Sequence, residues 1–117
     1  MAVWTGTASA PRGLRPLIGV RVRIDEDGLH VRGRPPVPVD IPLDQIEVVE
    51  VIDVNPWRWS GWGYRGSLKV FRRAAFVARR GPGIKVTLKD GRVFVVTVDD
   101  AEEGARVLRG LLTSTPR

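Results

Sequence analysis

The chain has 117 residues, 43% of them hydrophobic, and a formal net charge of +6 from 19 basic and 13 acidic side chains. This length and composition predict one folded domain with a single core and exclude a chain that is disordered throughout. The sequence contains no cysteine and one histidine, which excludes disulfide bonds, thiolate metal sites and a cysteine nucleophile and leaves few groups for acid–base catalysis.

Residues 1–16 are rich in glycine, proline, serine and threonine and show no hydrophobic period. They predict a flexible N-terminal tail before a domain at 17–113, with a short C-terminal tail at 114–117. No segment has the roughly 20 consecutive apolar residues of a membrane span, and the N-terminus lacks the apolar stretch of a signal peptide. The sequence therefore predicts a cytoplasmic protein, and it leaves open an association with the cytoplasmic face of a membrane.

The first clear element is a β-hairpin. Apolar and polar residues alternate over 18–24, which is the period of a strand with one buried face. The sequence DEDG at 25–28 predicts a tight, solvated turn, after which the alternation resumes over 29–32. His30 and Arg32 fall on the outward side, and His30 is predicted to be a surface residue.

Five further strands follow from apolar, β-branched runs, at 39–43, 46–54, 75–78, 84–88 and 93–98. Pro42 marks an edge strand, which leaves a homo-oligomer open, and the acidic residues of 46–54 predict a bulge near Val48 and Val49. Asp99 and Asp100 suit the positive end of a helix, and the residues of one apolar helical stripe follow: Ala101, Ala105, Leu108, Leu111 and Leu112. The predicted class is mainly β (α+β), with seven antiparallel strands as a barrel or curved sheets capped by one C-terminal amphipathic helix.

Residues 54–89 carry nine lysines and arginines and no acid, and their first half is rich in tryptophan and glycine. One interpretation is a loop whose rings pack onto the sheets, and the other is an exposed aromatic and cationic surface. Such a surface suits a protein partner, an anionic membrane surface or a single-stranded nucleic acid. The candidate binding residues are Trp57, Arg58, Trp59, Trp62, Tyr64, Arg65, Lys69, Arg72 and Arg73.

A resemblance to a bacterial family of pleckstrin-homology-like (PH-like) domains, common in actinobacteria, rests on four phrases. They are VRIDEDGLHVRG at 22–33, IPLDQIEVVEV at 41–51, NPWRWSGWGYRG at 55–66 and RRGPGIKVTLKDGRVFVVTVDDAEEGARVL at 79–108. The resemblance covers about residues 18–112 and implies a seven-stranded barrel with a C-terminal helix and no catalytic activity. Many members resemble the soluble portion of membrane proteins with preceding membrane helices, which this sequence lacks.

These observations predict a non-enzymatic PH-like interaction module for protein–protein or membrane-proximal binding, with no metal or other cofactor. The alternative is a basic small-barrel protein that binds nucleic acid, which we rank behind a protein or membrane partner. In eukaryotic PH domains a basic loop between the first two strands binds phosphoinositides. The corresponding loop in this sequence is the acidic turn 25–28, which would repel such a headgroup.

Overall fold

The structure, a computed structural model, describes residues 2–10, 12–14, 18–34, 36–55, 63–68 and 72–114. These residues form nine strands, β1 (Ala2–Ser9), β2 (Gly19–Asp25), β3 (Gly28–Arg34), β4 (Val39–Pro42), β5 (Ile46–Val54), β6 (Gly63–Ser67), β7 (Arg73–Val77), β8 (Gly81–Leu88) and β9 (Val93–Thr97). One α-helix follows, α1 (Ala101–Ser114), and two 3-10 helices lie at Arg12–Leu14 and Leu43–Gln45. The mainly β class with a C-terminal helix is confirmed. The prediction of seven strands is wrong, and the strands form two sheets that do not close into a barrel.

Strands β1 to β4 form a four-stranded antiparallel sheet in which each strand pairs with the next. The predicted hairpin lies at its centre, and β2 pairs with β3 from Gly19 opposite Arg34 to Asp25 opposite Gly28. Gly28 has a φ of 138°, and a Cβ on it would lie 2.0 Å from the carbonyl oxygen of Ile41. Glycine is therefore required where the chain enters β3. The hairpin prediction is confirmed.

Strand β1 occupies part of the segment that was predicted to be a tail. It pairs with β2, and the carbonyl oxygen of Thr7 accepts a hydrogen bond from the backbone N–H of Asp99 at 2.9 Å. Gly6 of this strand lies against the Trp4 ring, which leaves no space for a side chain at position 6. A Cβ on Gly6 would lie 2.2 Å from that ring, and one on Gly104 of α1 would lie 2.9 Å from it. The tail prediction for 1–16 is therefore wrong over residues 2–9.

Strands β5 to β9 form a five-stranded sheet in the order β5-β8-β9-β7-β6. Strands β7 and β9 run parallel, so the prediction of antiparallel strands throughout is wrong for this pair. The predicted bulge in β5 is confirmed as a register shift between Ile46 and Val48. Strand β6 was not predicted because its five residues include two glycines and show no alternation.

The two sheets and the helix enclose one apolar core. Its largest fully buried side chains are Phe76, Phe94, Ile24, Leu29, Ile46, Ile84 and Leu108. A second cluster lies on the other face of the five-stranded sheet, where Val54, Ala75, Val77 and Val95 are each 0% exposed. Strands β7 and β9 are therefore buried on both faces, while β5 still carries exposed Val48 and Glu50. The four-stranded sheet is buried on one face and polar on the other.

Helix α1 covers one end of the core. The residues of its predicted apolar stripe are buried or partly buried, namely Ala101, Ala105, Leu108, Leu111 and Leu112. Arg109 ties the helix to β5, because its Nε and Nη2 donate hydrogen bonds to the carbonyl oxygen of Val49 at 2.9 and 2.6 Å. Within the described ranges, no helix combines the length and the apolar character needed to cross a bilayer.

Candidate functional site

The outward face of the four-stranded sheet carries four exposed arginines, which we call the arginine face: Arg21 and Arg23 on β2, and Arg32 and Arg34 on β3. They share one side because residues two apart in a strand point the same way. Arg21 lies directly opposite Arg32, and Arg23 lies opposite His30. Like charges directly opposite each other destabilise an antiparallel pair. The requirements of folding therefore do not explain why Arg21 and Arg32 face each other.

A groove with a volume of about 420 Å³ lies on this face. Its lining residues are Thr5, Arg21, Val22, Arg23, His30 and Arg32, which come from three adjacent strands. A cavity of this size is within the range that holds a small ligand or a few side chains of a partner. Its walls carry three guanidinium groups and one imidazole, so the groove suits an anionic group.

Two of the arginines are tied to carboxylates. Arg32 Nη2 lies 3.0 Å from Asp40 Oδ1, and Arg32 Nη1 donates to the carbonyl oxygen of Val31 at 2.9 Å. These contacts draw the guanidinium of Arg32 towards β4. Arg23 Nε lies 3.3 Å from Asp25 Oδ2. Both arginine side chains nevertheless remain about half exposed, at 51% for Arg32 and 55% for Arg23.

Arg34 and Arg21 occupy the rest of the face. The guanidinium of Arg34 lies over Gly19, where an added Cβ would be 3.0 Å from Arg34 Nη2. Arg21 is exposed, and in the part of the chain that the structure describes no carboxylate forms an ion pair with it. Arg21 therefore offers an incoming anion a guanidinium that no described internal ion pair already uses.

His30 lines the groove and lies between two carboxylates. Its Nδ1 is 2.7 Å from Asp40 Oδ1, and its Nε2 is 3.0 Å from Asp25 Oδ1. Its side chain is only 16% exposed. His30 points outward as predicted, but its side chain is only partly exposed, because Asp25 and Asp40 occupy both of its ring nitrogens.

Asp25 organises the hairpin turn and is not part of a solvated tip. Its Oδ1 also accepts hydrogen bonds from the backbone N–H groups of Asp27 at 2.9 Å and Gly28 at 3.3 Å. Burial acts to raise the pKa of Asp25, but the hydrogen bonds from His30 and from the backbone outweigh it and lower this pKa below its ordinary value. The hydrogen bond from His30 likewise lowers the pKa of Asp40, against a smaller opposing effect of burial.

The binding residues predicted in the tryptophan-rich segment fall mainly outside the described residues. These are Trp57, Arg58, Trp59, Trp62 and Lys69, and of Arg65 only the backbone is described. Tyr64 is partly buried and its ring packs edge-on against Phe76, with centroids 6.0 Å apart and planes at 82°. Burial raises the pKa of Tyr64. This ring is therefore part of the packing around the core and is not an exposed stacking platform.

Arg72 and Arg73 lie at the start of β7, in the other sheet, so the structure does not bring them into the arginine face. Arg72 has a φ of 59° and donates a hydrogen bond to the carbonyl oxygen of Asp90. Its Nη2 is 3.9 Å from the Asp90 carboxylate, which also binds Arg92 Nε at 2.8 Å. The backbone N–H of Arg92 and these cations hold the pKa of Asp90 below its ordinary value.

No known protein family, curated protein or solved structure matches the chain in any of three comparisons. The PH-like resemblance therefore stays a prediction. In the described ranges, no group of three or more histidine, aspartate or glutamate side chains is arranged to hold a metal ion. The arginine face, which the sequence did not single out, is the candidate site that the geometry provides.

Proposed function

We propose that the chain is a non-enzymatic interaction module that binds an acidic segment of a protein partner on the arginine face. The observation that carries the proposal is the exposed guanidinium of Arg21, which lines a groove of about 420 Å³ and has no described ion-pair partner. A carboxylate can form two parallel hydrogen bonds with such a guanidinium without breaking an internal ion pair. The half-exposed Arg23 and Arg32 can share further acidic groups.

The single histidine favours a binding role over a catalytic one. A general base needs an imidazole nitrogen with a free lone pair within reach of a substrate proton. Both ring nitrogens of His30 instead face carboxylate oxygens within 3.0 Å. The carboxylates of Asp25 and Asp40 are engaged by this ring and by arginines, so they too are arranged to hold charges in place.

The charges beside the groove favour a protein partner over a nucleic acid or a membrane. Exposed Glu26 and Asp27 lie at the hairpin tip, next to the arginines. A continuous phosphate backbone or an anionic bilayer that reached the arginine face would also meet these acids and be repelled. A protein can instead place acidic groups against the arginines and basic groups against the tip. The described aromatic rings Trp4 and Tyr64 pack against the core, so neither offers a base a stacking surface on this face.

Residues 57–73 remain a predicted second contact surface, and a PH-like domain, a membrane-face location and a homo-oligomer remain predictions as well. Each is consistent with an interaction module. Binding of a nucleic acid would require its phosphates to avoid Glu26 and Asp27 at the hairpin tip.

The test is fluorescence anisotropy with a labelled synthetic peptide of alternating glutamate and serine, measured at two salt concentrations. Arg21→Gln is compared with Arg106→Gln, which removes the same charge from an exposed position on α1. We expect Arg21→Gln to weaken peptide binding about tenfold, the effect of one charge-assisted hydrogen-bonded pair. Arg106→Gln should change it less than twofold.

A single-stranded oligonucleotide and vesicles containing anionic lipid are measured in parallel. If peptide affinity fell equally in the two variants, binding would depend only on the net charge of the protein, and the proposed site would be wrong. Tighter binding of the oligonucleotide or the vesicles, dependent on Arg21, would favour the corresponding alternative partner.

A further inference from the structure

His30 holds together a chain of charges that crosses three strands of the four-stranded sheet. Arg23 binds Asp25 on β2, His30 on β3 binds both carboxylates, and Arg32 binds Asp40 on β4. On the β1 side, the uncharged Thr5 lies opposite Arg23 in the ladder. Among the described residues that line this groove, the one further charged side chain is the exposed Arg21.

The geometry of these contacts favours one protonation state of the imidazole. An ionised carboxylate can only accept hydrogen bonds, so a ring nitrogen that faces one must carry a proton. Both His30 nitrogens face carboxylate oxygens, at 2.7 and 3.0 Å. The pKa values of both Asp25 and Asp40 are lowered, which keeps these groups ionised. The arrangement therefore fits the doubly protonated, positively charged imidazolium.

Loss of one proton changes both the charge and the contacts of the network. A neutral imidazole has one N–H, so its other nitrogen would point a lone pair at a carboxylate oxygen. Either the ring turns or that carboxylate moves, and the freed carboxylate is then available to pair more closely with Arg32 or Arg23. The groove loses one positive charge, and one of its guanidinium groups becomes more strongly neutralised.

We infer that the proton on His30 controls how strongly the arginine face attracts its acidic partner, an inference that rests on the proposed function. The partner binds more tightly when His30 is charged, and by linkage its binding promotes proton uptake. The face is thus a binding site whose affinity for an acidic segment falls when His30 loses this proton.

The test follows the affinity of the glutamate–serine peptide from pH 5.5 to 8.5, a range in which free glutamate side chains stay ionised. Because the chain contains one histidine, NMR of the imidazole nitrogens reports its protonation state in the same samples. We expect peptide affinity to fall about fivefold as pH rises, the effect of one unit charge close to a solvent-exposed ligand. The midpoint should coincide with the imidazole transition. His30→Gln should abolish this dependence, and Asp40→Asn, which keeps the histidine but removes one acceptor, should reduce it.

The outcomes separate this inference from the proposed function. An imidazole that keeps one protonation state across the range, or an equal pH dependence in wild type and His30→Gln, would overturn the inference. A peptide that binds at no pH would contradict the proposed function. The coupling of the His30 proton to the arginine contacts would be tested separately by the Nε–H signals of Arg23 and Arg32, which should shift with the imidazole transition.

Discussion

The two sheets share one core but differ in their outward faces. The five-stranded sheet presents Val54, Val77 and Val95, all fully buried, whereas the four-stranded sheet presents exposed arginines. Burial of apolar side chains stabilises a fold in proportion to the area removed from water. An exposed cationic face has no such effect, and its opposed arginines repel each other. The buried outward valines therefore stabilise the fold, and the exposed arginines are the ones that we propose bind a partner.

A carboxylate introduced on the outward face should unfold the protein when it is placed on the five-stranded sheet, but not when it is placed on the four-stranded sheet. In Val95→Glu, a carboxylate replaces a side chain that is 0% exposed, and burial of an unpaired charge costs several kcal/mol or more. This approaches the whole stability of a small domain, so we expect no cooperative unfolding transition by circular dichroism. Thr5→Glu, exposed and opposite Arg23, should keep the wild-type transition. A folded Val95→Glu protein with a wild-type midpoint would contradict the assignment of the second cluster.

The stability of the β2–β3 hairpin, which carries the arginines, should depend on glycine at its turn. In Gly28→Ala, the new Cβ would meet the carbonyl oxygen of Ile41 at 2.0 Å with φ at 138°, and we expect a loss of about 2–4 kcal/mol in urea unfolding. Gly110, in α1, has nothing within 4 Å of an added Cβ, so Gly110→Ala should stabilise by about 0.5–1 kcal/mol. A Gly28→Ala protein as stable as wild type would contradict the requirement for glycine at this turn.

The decrease in the free energy of unfolding at acidic pH should depend on the carboxylates beside the arginine face, above all on Asp25. The pKa of Asp25 is lowered by folding, so its ionised form stabilises the protein above the unfolded pKa of about 4, and this contribution is lost as pH falls through the lower folded value. Asp25→Asn should cost about 1–2 kcal/mol at pH 7 and flatten the decline below about pH 4. Asp44→Asn, at an exposed position, should leave both unchanged. If Asp25→Asn lost stability below about pH 4 in the same way as the wild type, the ionised Asp25 would not stabilise the fold as described.

The first sheet was predictable where one face is buried, because alternation then appears directly in the sequence. This holds for β2 and β3, whose buried and exposed residues alternate. The alternation is not visible in β1, because Gly6 leaves room for the Trp4 ring where a larger apolar residue would otherwise mark the buried face. The sequence of β1 therefore resembles that of a linker. In β7 and β9, burial on both faces gives continuous apolar runs that reveal a strand but not its direction or neighbours.

The candidate site depends on register, which the sequence does not display. The outward positions of Arg21 and Arg32 follow from alternation, but their direct opposition depends on how the hairpin pairs. The environment of His30 was missed for the same reason. Its two carboxylates come from the end of β2 and from β4, and only the pairing of β3 with both strands brings them to opposite sides of the ring.

The most direct measurement is the free energy of unfolding of Arg21→Glu, together with its affinity for the acidic peptide. A glutamate opposite Arg32 replaces a repulsive cross-strand pair by an attractive one, so stability should be unchanged or higher by up to about 0.5 kcal/mol while peptide binding is lost. Stability that falls by more than about 1 kcal/mol would show that Arg21 serves the fold. Peptide binding at wild-type affinity would show that the arginine face is not the binding site.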